Sequence, residues 1–519
     1  MCSGPQALPA TLVIEEIEAT RAGWVVCHSP TSVKLSILFA VRPRSISRWA
    51  FLVAAVVSST LSITIAVHAE NLREVPLGGR TATMGGAGVG AGVDAAMAFL
   101  NPAGMAGTPH DVASLSADVY SYASASVPRY FRPNGVSPKF GNVGVEDEAY
   151  DETQFATVPS GLTYFKRLGT DDDRNELVLG LSVTMPSYSW GTATGRFRGT
   201  STSARLWADA LGTNRFRQAL AGPTIALRLG RRVRLGLSVL GSYADWLGDS
   251  QVAYAVALID QTTHQETPNL VNQRVNITAW SVGLTPIAGA QINVWEDLWL
   301  GAAFEMRGIP LIGRGNILAL SDASIVDDKG VTTTARSTQR GSFDGFSIAR
   351  PMRVSLGAAW EAPGVFTVAA DVHLFVKNSS FVHGSAKVDT LTIETNKPID
   401  ARANPFVFDS GTRTFADFSL GGEVHLSKVF ALRAGFMTDL DSIERESNGT
   451  PNTRLDWVMG TLGLGVKTGA LETTYGIAYR RGFGKVYVDD VFGDAKTPVP
   501  IDFTANAFML ILSGSVRTD

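Results

Sequence analysis

The stretch Gly78–Met105 reads GGRTATMGGAGVGAGVDAAMAFLNPAGM. It is nearly free of charge, dense in Gly and Ala, and closes on Asn101-Pro102-Ala103-Gly104. Small residues let a segment pack where large side chains would clash. A surface loop would be more polar, and a free-standing helix would hold far less Gly. The stretch therefore reads as a compact plug, a piece of chain built to sit inside something else. Gly86-x-Gly88-x-x-Ala91 fits a loose dinucleotide fingerprint. That chemistry needs a preceding strand, a following helix and an acidic residue about twenty positions on, so the match is read as chance in a Gly-rich run.

Composition narrows what surrounds the plug. The chain has 519 residues, a net charge of −3 and 52 glycines, with 18% charged residues. A balanced charge gives no electrostatic case for nucleic acid. No apolar run after residue 70 reaches the roughly 18 residues of a membrane helix. A Gly-rich, charge-poor chain of this kind fits a membrane β-barrel, and a soluble all-β sandwich is the competing reading.

The first seventy residues read as targeting sequence. Phe51–Val67 is uncharged, follows Arg42, Arg44 and Arg48, and ends in Val67-His68-Ala69. A positive n-region, a short apolar h-region and an A-x-A-like end make a secretory signal peptide, with cleavage expected after Ala69. No Met lies between Met1 and Met84. Translation is expected to start near Val41, which leaves residues 1–40 a mis-annotated leader. Cys2 and Cys27 both precede the cleavage point, so the mature chain would hold no disulfide and no Cys-based metal site.

From Val112 onward, segments of about ten residues with period-two or near-apolar character succeed one another to Ala505–Val516. Tight junctions such as Gly230-Arg231-Arg232 and Thr468-Gly469 join some of them. Long polar stretches separate others: Pro133–Thr153, Gly191–Gln218, Gln261–Gln273, Ser321–Phe346, Asn378–Arg413 and Asp441–Thr453. Short turns at one end and long loops at the other are the layout of an outer-membrane barrel. Val275–Val294 holds Pro286 and reads as a strand, a turn and the start of the next. Ser203–Leu211 is the one helical candidate. Parity places Leu300, Phe304, Leu356, Val372, Leu420 and Leu432 on one face. Asp297, Glu305, Arg307, Arg353, Asp371, Glu423, Arg433 and Glu472 fall on the other, as lumen groups that mostly pair with one another.

The segment from Gly78, with Asp94 near its middle and Asn101-Pro102-Ala103 at its end, resembles the N-terminal hatch of the FadL/TodX-type outer-membrane transporters of long-chain fatty acids and hydrophobic compounds. Arg350–Phe375 and Leu432–Asp439 also resemble phrases of that family. The resemblance implies an all-β fold: a transmembrane antiparallel barrel of about 14 strands whose lumen is plugged by the hatch. It divides the chain into signal peptide at 41–69, hatch at 70–111 and barrel at 112–519. It implies a monomer in the outer membrane, passive uptake of a hydrophobic or fatty-acid ligand, no cofactor and no catalysis. The gating and ligand residues would be Gly86, Gly88, Gly90, Asp94, Asn101, Pro102 and Ala103. Arg353 or Arg433 would face the carboxylate of an amphiphile. The Asn-Pro-Ala-Gly ending is also similar to the PorV-like barrels, which implies the alternative of a structural barrel that binds a protein partner. Five histidines follow Ala69, none with metal-ligand spacing, and no GxSxG elbow occurs, so an enzyme has no support in the residues.

Overall fold

The computed structural model describes residues 71–518 apart from 74–75, 109, 117–118, 159–160, 169–174, 327–329, 395–396, 448–449 and 496. The expected leader, the signal peptide, both cysteines and the cleavage point at Ala69 lie outside these residues.

Fourteen antiparallel strands close into one barrel. They are β1 (Val112–Ser116 and Val119–Ser126), β2 (Gly144–Val158 and Gly161–Leu168), β3 (Asn175–Thr200), β4 (Ala204–Leu229) and β5 (Val233–Ile259). Next come β6 (Glu266–Trp295), β7 (Leu298–Glu305 and Ile309–Val326), β8 (Thr332–Asp344, Ser347–Ile348 and Arg353–Ala362) and β9 (Phe366–Phe375 and Asn378–Glu394). The last are β10 (Lys397–Thr412 and Phe415–His425), β11 (Phe430–Asp439), β12 (Arg454–Thr468), β13 (Leu471–Val488) and β14 (Val499–Arg517). Closure is made by β14, which pairs with β13 along one edge and with β1 along the other, Val112 facing Arg517 and Tyr120 facing Leu510.

The wall is inside out relative to a soluble protein. Leu179, Leu181, Leu237, Leu356, Leu420 and Leu432 are exposed. At alternate positions Arg353, Ser355, Asp371, His373, Ser419, Glu423 and Arg433 are buried. An apolar outer band over a polar inner face is the signature of a membrane barrel and reverses the sandwich. The parity expected from the sequence holds within the strands, but Arg307, expected as a lumen group, is exposed in the break after Glu305, and Asp297 lies in the turn before Leu298.

The long polar stretches are a different matter. Gly191–Gln218, Ser321–Phe346 and Asn378–Arg413 are mostly strand rather than loop, and the connection between β3 and β4 is only residues 201–203. Ser203–Leu211 is not a helix: all but its first residue belong to β4, and Ala204, Leu206 and Ala208 are buried at period two. A tilted membrane strand needs roughly 9–11 residues. Strand β3 has 26 and β6 has 30, so the wall continues well beyond the apolar band. There the outer face carries charges such as Arg196 and Arg205, while Phe197, Leu206, Ala208, Val252 and Val271 stay buried on the inner one. The ladder is reinforced by cross-strand ion pairs such as Arg274–Asp249 at 2.7 Å and Arg198–Asp209 at 3.0 Å. Pro286 likewise makes no turn. It lies within β6 opposite the break in β7 at residues 306–308, where its missing N–H leaves no ladder position empty.

Candidate functional site: hatch and lumen

The described residues between 71 and 107 run round the inside of this wall. The hatch holds two single-turn helices, α1 (Arg80–Thr83) and α2 (Met97–Leu100), and a 3-10 helix over Pro102–Gly107. Asp94 joins its two halves. Its carboxylate accepts from the Thr81 N–H at 2.7 Å, the Thr81 hydroxyl at 2.8 Å and the Ala96 N–H at 3.2 Å.

Four pairs of wall glycines, each directly in register, receive the hatch. Gly236–Gly289 takes Asn101–Ala103, and Gly301–Gly357 takes Val89–Gly90. Gly421–Gly435 takes Met84–Gly85, and Gly463–Gly476 takes the Thr83 side chain. A methyl group on any of these eight would overlap hatch atoms. At Gly301 and Gly421 the obstacle is a backbone carbonyl, which cannot rotate away. Between the glycine pairs stands Asp371 on β9, whose Oδ2 accepts from Gly88 N–H at 2.6 Å and Val89 N–H at 2.9 Å.

Asn101 is fully buried. Its amide donates to the Val89 carbonyl at 2.7 Å and to the Ala290 carbonyl at 3.1 Å, while its oxygen accepts from Ala103 N–H at 3.2 Å. Pro102 at the first position of the 3-10 helix needs no donor there. Gly86 is in the left-handed region at φ +78°, Gly88 packs on Thr81 and Met97, and Gly90 lies on the Ala358–Ala359 backbone.

The two arginines expected to meet a ligand carboxylate are both engaged by the protein. Arg433 bonds Glu423 at 2.5 Å, Thr474 at 2.8 Å and Glu472 at 2.8 Å. Glu423 in turn holds the hatch through Arg80 at 3.0 Å. Arg353 pairs with Glu305 at 2.9 Å and donates to the Phe99 carbonyl at 2.9 Å. Arg350 shares the same Glu305 at 2.7 Å. Both guanidinium carbons lie over the Phe99 ring, at 4.5 Å for Arg353 and 5.2 Å for Arg350, which caps the hatch with a buried cationic lid.

Above that lid the lumen is apolar. Phe216, Phe343, Phe346, Phe375, Phe381 and Phe415 form one buried cluster, with Leu72 of the hatch's leading end among them. Phe346 and Ile348 reach it because β8 bends inward after Gly345, at φ +84°. A second apolar cluster fills the mouth, where Tyr130 stacks on Tyr150 at 3.8 Å and Phe197 meets Phe492 at 4.9 Å. In the connection between β13 and β14, burial pushes the Asp489 carboxyl up to about 6.

The wall has one irregular seam beside the hatch. Strand β2 pairs with β3 through Gln154–Gly191 and again through Gly161–Thr184. Among the described residues, Met185–Trp190 has no partner on that side. Pro186 lacks an N–H, and the β3–β4 register shifts between Thr184 and Ser187. The extra residue flips parity, so Val183 and then Trp190 face outward. Inside, Met185 and Tyr188 pack against the cluster that holds Leu100 and Met105 of the hatch.

The arrangement thus defines a class of protein: a closed fourteen-strand barrel with an apolar upper lumen and an interlocked internal plug. No family model matches the sequence, and no curated protein does. Solved structures that it resembles include a Pseudomonas aeruginosa FadL homologue, at 14% identity and TM-score 0.49, over 86% of this chain and 99% of that one. The P. putida toluene transporter TodX is similar at 12% identity and TM-score 0.47, over 86% of this chain and 99% of that one. The Ralstonia pickettii toluene transporter TbuX is similar at 13% identity and TM-score 0.46, over 86% of this chain and the whole of that one.

Proposed function

We propose that the protein is an outer-membrane channel for passive uptake of hydrophobic small molecules, long-chain fatty acids or hydrocarbons among them. The observation that carries this reading is the pair of buried aromatic clusters leading from the mouth to the hatch inside a membrane barrel. An apolar solute gains about 0.8 kcal/mol per buried CH₂ there, far more over a long chain than one polar contact supplies. The hatch closes the straight route. The seam between β2 and β3 offers a lateral one, sealed from inside by Met185 and Tyr188 against the hatch. Movement of Leu100 and Met105 would unseal it, with Gly86, Gly88 and Gly90 supplying slack in the hatch.

The test is uptake of a labelled long-chain fatty acid and of labelled toluene by Gram-negative cells that lack their own transporter. Several-fold faster uptake than vector control of either compound supports the reading. Uptake equal to the control, with the protein present in the outer-membrane fraction, overturns it. Asn101→Ala removes three hydrogen bonds, two within the hatch and one to Ala290 of the wall, a loss on the order of 3 kcal/mol in hatch folding and docking together. It is expected to cut uptake while leaving the heat-modifiable gel shift of an intact barrel. Unchanged uptake would separate Asn101 from gating.

A further inference from the structure

The outer wall carries a feature that transport does not use. Tyr479, Phe508, Tyr122 and Phe155 stand directly opposite one another on β13, β14, β1 and β2, each at least half exposed. A row of outward aromatics marks the edge of the apolar band, where headgroups begin. Phe483 and Lys485 lie four and six residues further up β13, about 13 and 20 Å along the strand at ~3.3 Å per residue.

A groove of about 640 Å³ opens at that height, and its lining includes Phe483, Lys485, Arg454 and Arg445. Arg454 and Lys485 face each other in register across β12 and β13. Like charges directly opposite repel, so something must offset them. Lys485 reaches the exposed Asp502 at 3.2 Å, and Arg413 reaches Asp441 at 3.6 Å. Asp456, the other acid of the groove, accepts the Asp441 N–H at 2.9 Å. Arg445 and Arg454 make no ion pair among the described residues. The groove therefore sets four cations against three carboxylates, with Arg454 within electrostatic reach of Asp441 but neither Arg445 nor Arg454 held in an ion pair, about 13–20 Å along the strand above the aromatic row.

We propose that this groove binds the phosphate of a phosphorylated lipid in the outer leaflet, with Arg445 and Arg454 as its principal contacts. A guanidinium donates two parallel N–H bonds to a phosphate, a geometry that a lysine lacks. The acyl chains then lie down the wall across Tyr479, Phe508 and Tyr122. The inference rests on the membrane reading above but not on what the lumen carries.

The test is native mass spectrometry of the detergent-purified full-length mature protein. It is incubated in turn with a bis-phosphorylated glucosamine lipid, with phosphatidylcholine and with inorganic phosphate. The wild type is expected to retain the phosphorylated glycolipid, and an Arg445→Ala/Arg454→Ala variant to retain at least tenfold less while keeping its heat-modifiable gel shift. Equal retention by the variant, equal retention of phosphatidylcholine, or full competition by inorganic phosphate at equimolar concentration would overturn it. The transport reading fails on the uptake assay, this one on lipid retention alone.

Discussion

An Asp371→Ala barrel is expected to conduct ions in planar bilayers where the native protein stays closed. The Asp371 carboxylate holds the N–H groups of Gly88 and Val89 in the middle of the hatch. Charge-assisted hydrogen bonds contribute roughly 1.5–3 kcal/mol each, so the pair is worth about 3–6 kcal/mol of docking. Each 1.4 kcal/mol is a factor of ten in population, and loss of the pair would raise the undocked fraction by at least about a hundredfold. Asp371→Asn is the matched comparison. Its remaining oxygen can still accept from the two N–H groups, while its amide nitrogen takes the place of Oδ1, on the side of the Gly90 N–H. The asparagine variant should conduct far less than the alanine variant. Cells carrying Asp371→Ala should also become sensitive to bulky hydrophilic antibiotics. A closed, non-conducting alanine variant would mean that the glycine pairs hold the hatch without the carboxylate.

That contrast shows what the sequence made legible. The plug announced itself because Gly78–Met105 is a continuous stretch whose composition fits neither loop nor helix. The inward position of Asp371, Arg353 and Arg433 followed from period two, since a strand with one lipid face leaves no freedom of register. The glycine pairs stayed hidden for the opposite reason. Gly301 and Gly357, or Gly421 and Gly435, are far apart in the chain and meet only through strand pairing. A scan for glycines at inward positions of adjacent strands could have found them. The upper wall reads as loop in the sequence because its buried positions, such as Phe197, Ala204, Leu206 and Ala208, are interspersed with Gly, Thr and charged residues. The inward bend of β8 at Gly345 brings Phe346 and Arg350 into the lumen, a move that no local pattern encodes. Arg353 and Arg433, either of which was expected to face a ligand carboxylate, are shared with Glu305 and Glu423. Pairing between inward charges was the blander reading, and the geometry shows why: an unpaired guanidinium in the wall would be costly to bury.

Phe343→Asp should reduce uptake of a long-chain fatty acid at least tenfold. The Phe343 ring lies in the aromatic chamber between Gly315 and Gly384, whose missing side chains leave it room. Its register partners across the ladder are Gly315 and Ala386, neither of them charged. The new charge would keep its water, and an apolar solute would have to strip or skirt that water to pass. An added barrier of about 1.4 kcal/mol already slows passage tenfold. A fatty acid brings its own negative charge and should suffer more than toluene, which meets only the hydration term. Phe343→Leu keeps the chamber dry and should stay within about threefold of wild type, which separates polarity from lost volume. Both variants should retain the heat-modifiable shift of a folded barrel, because the lipid-facing side of β8 is untouched. If Phe343→Asp carries fatty acid at the native rate, the solute does not travel through the aromatic chamber.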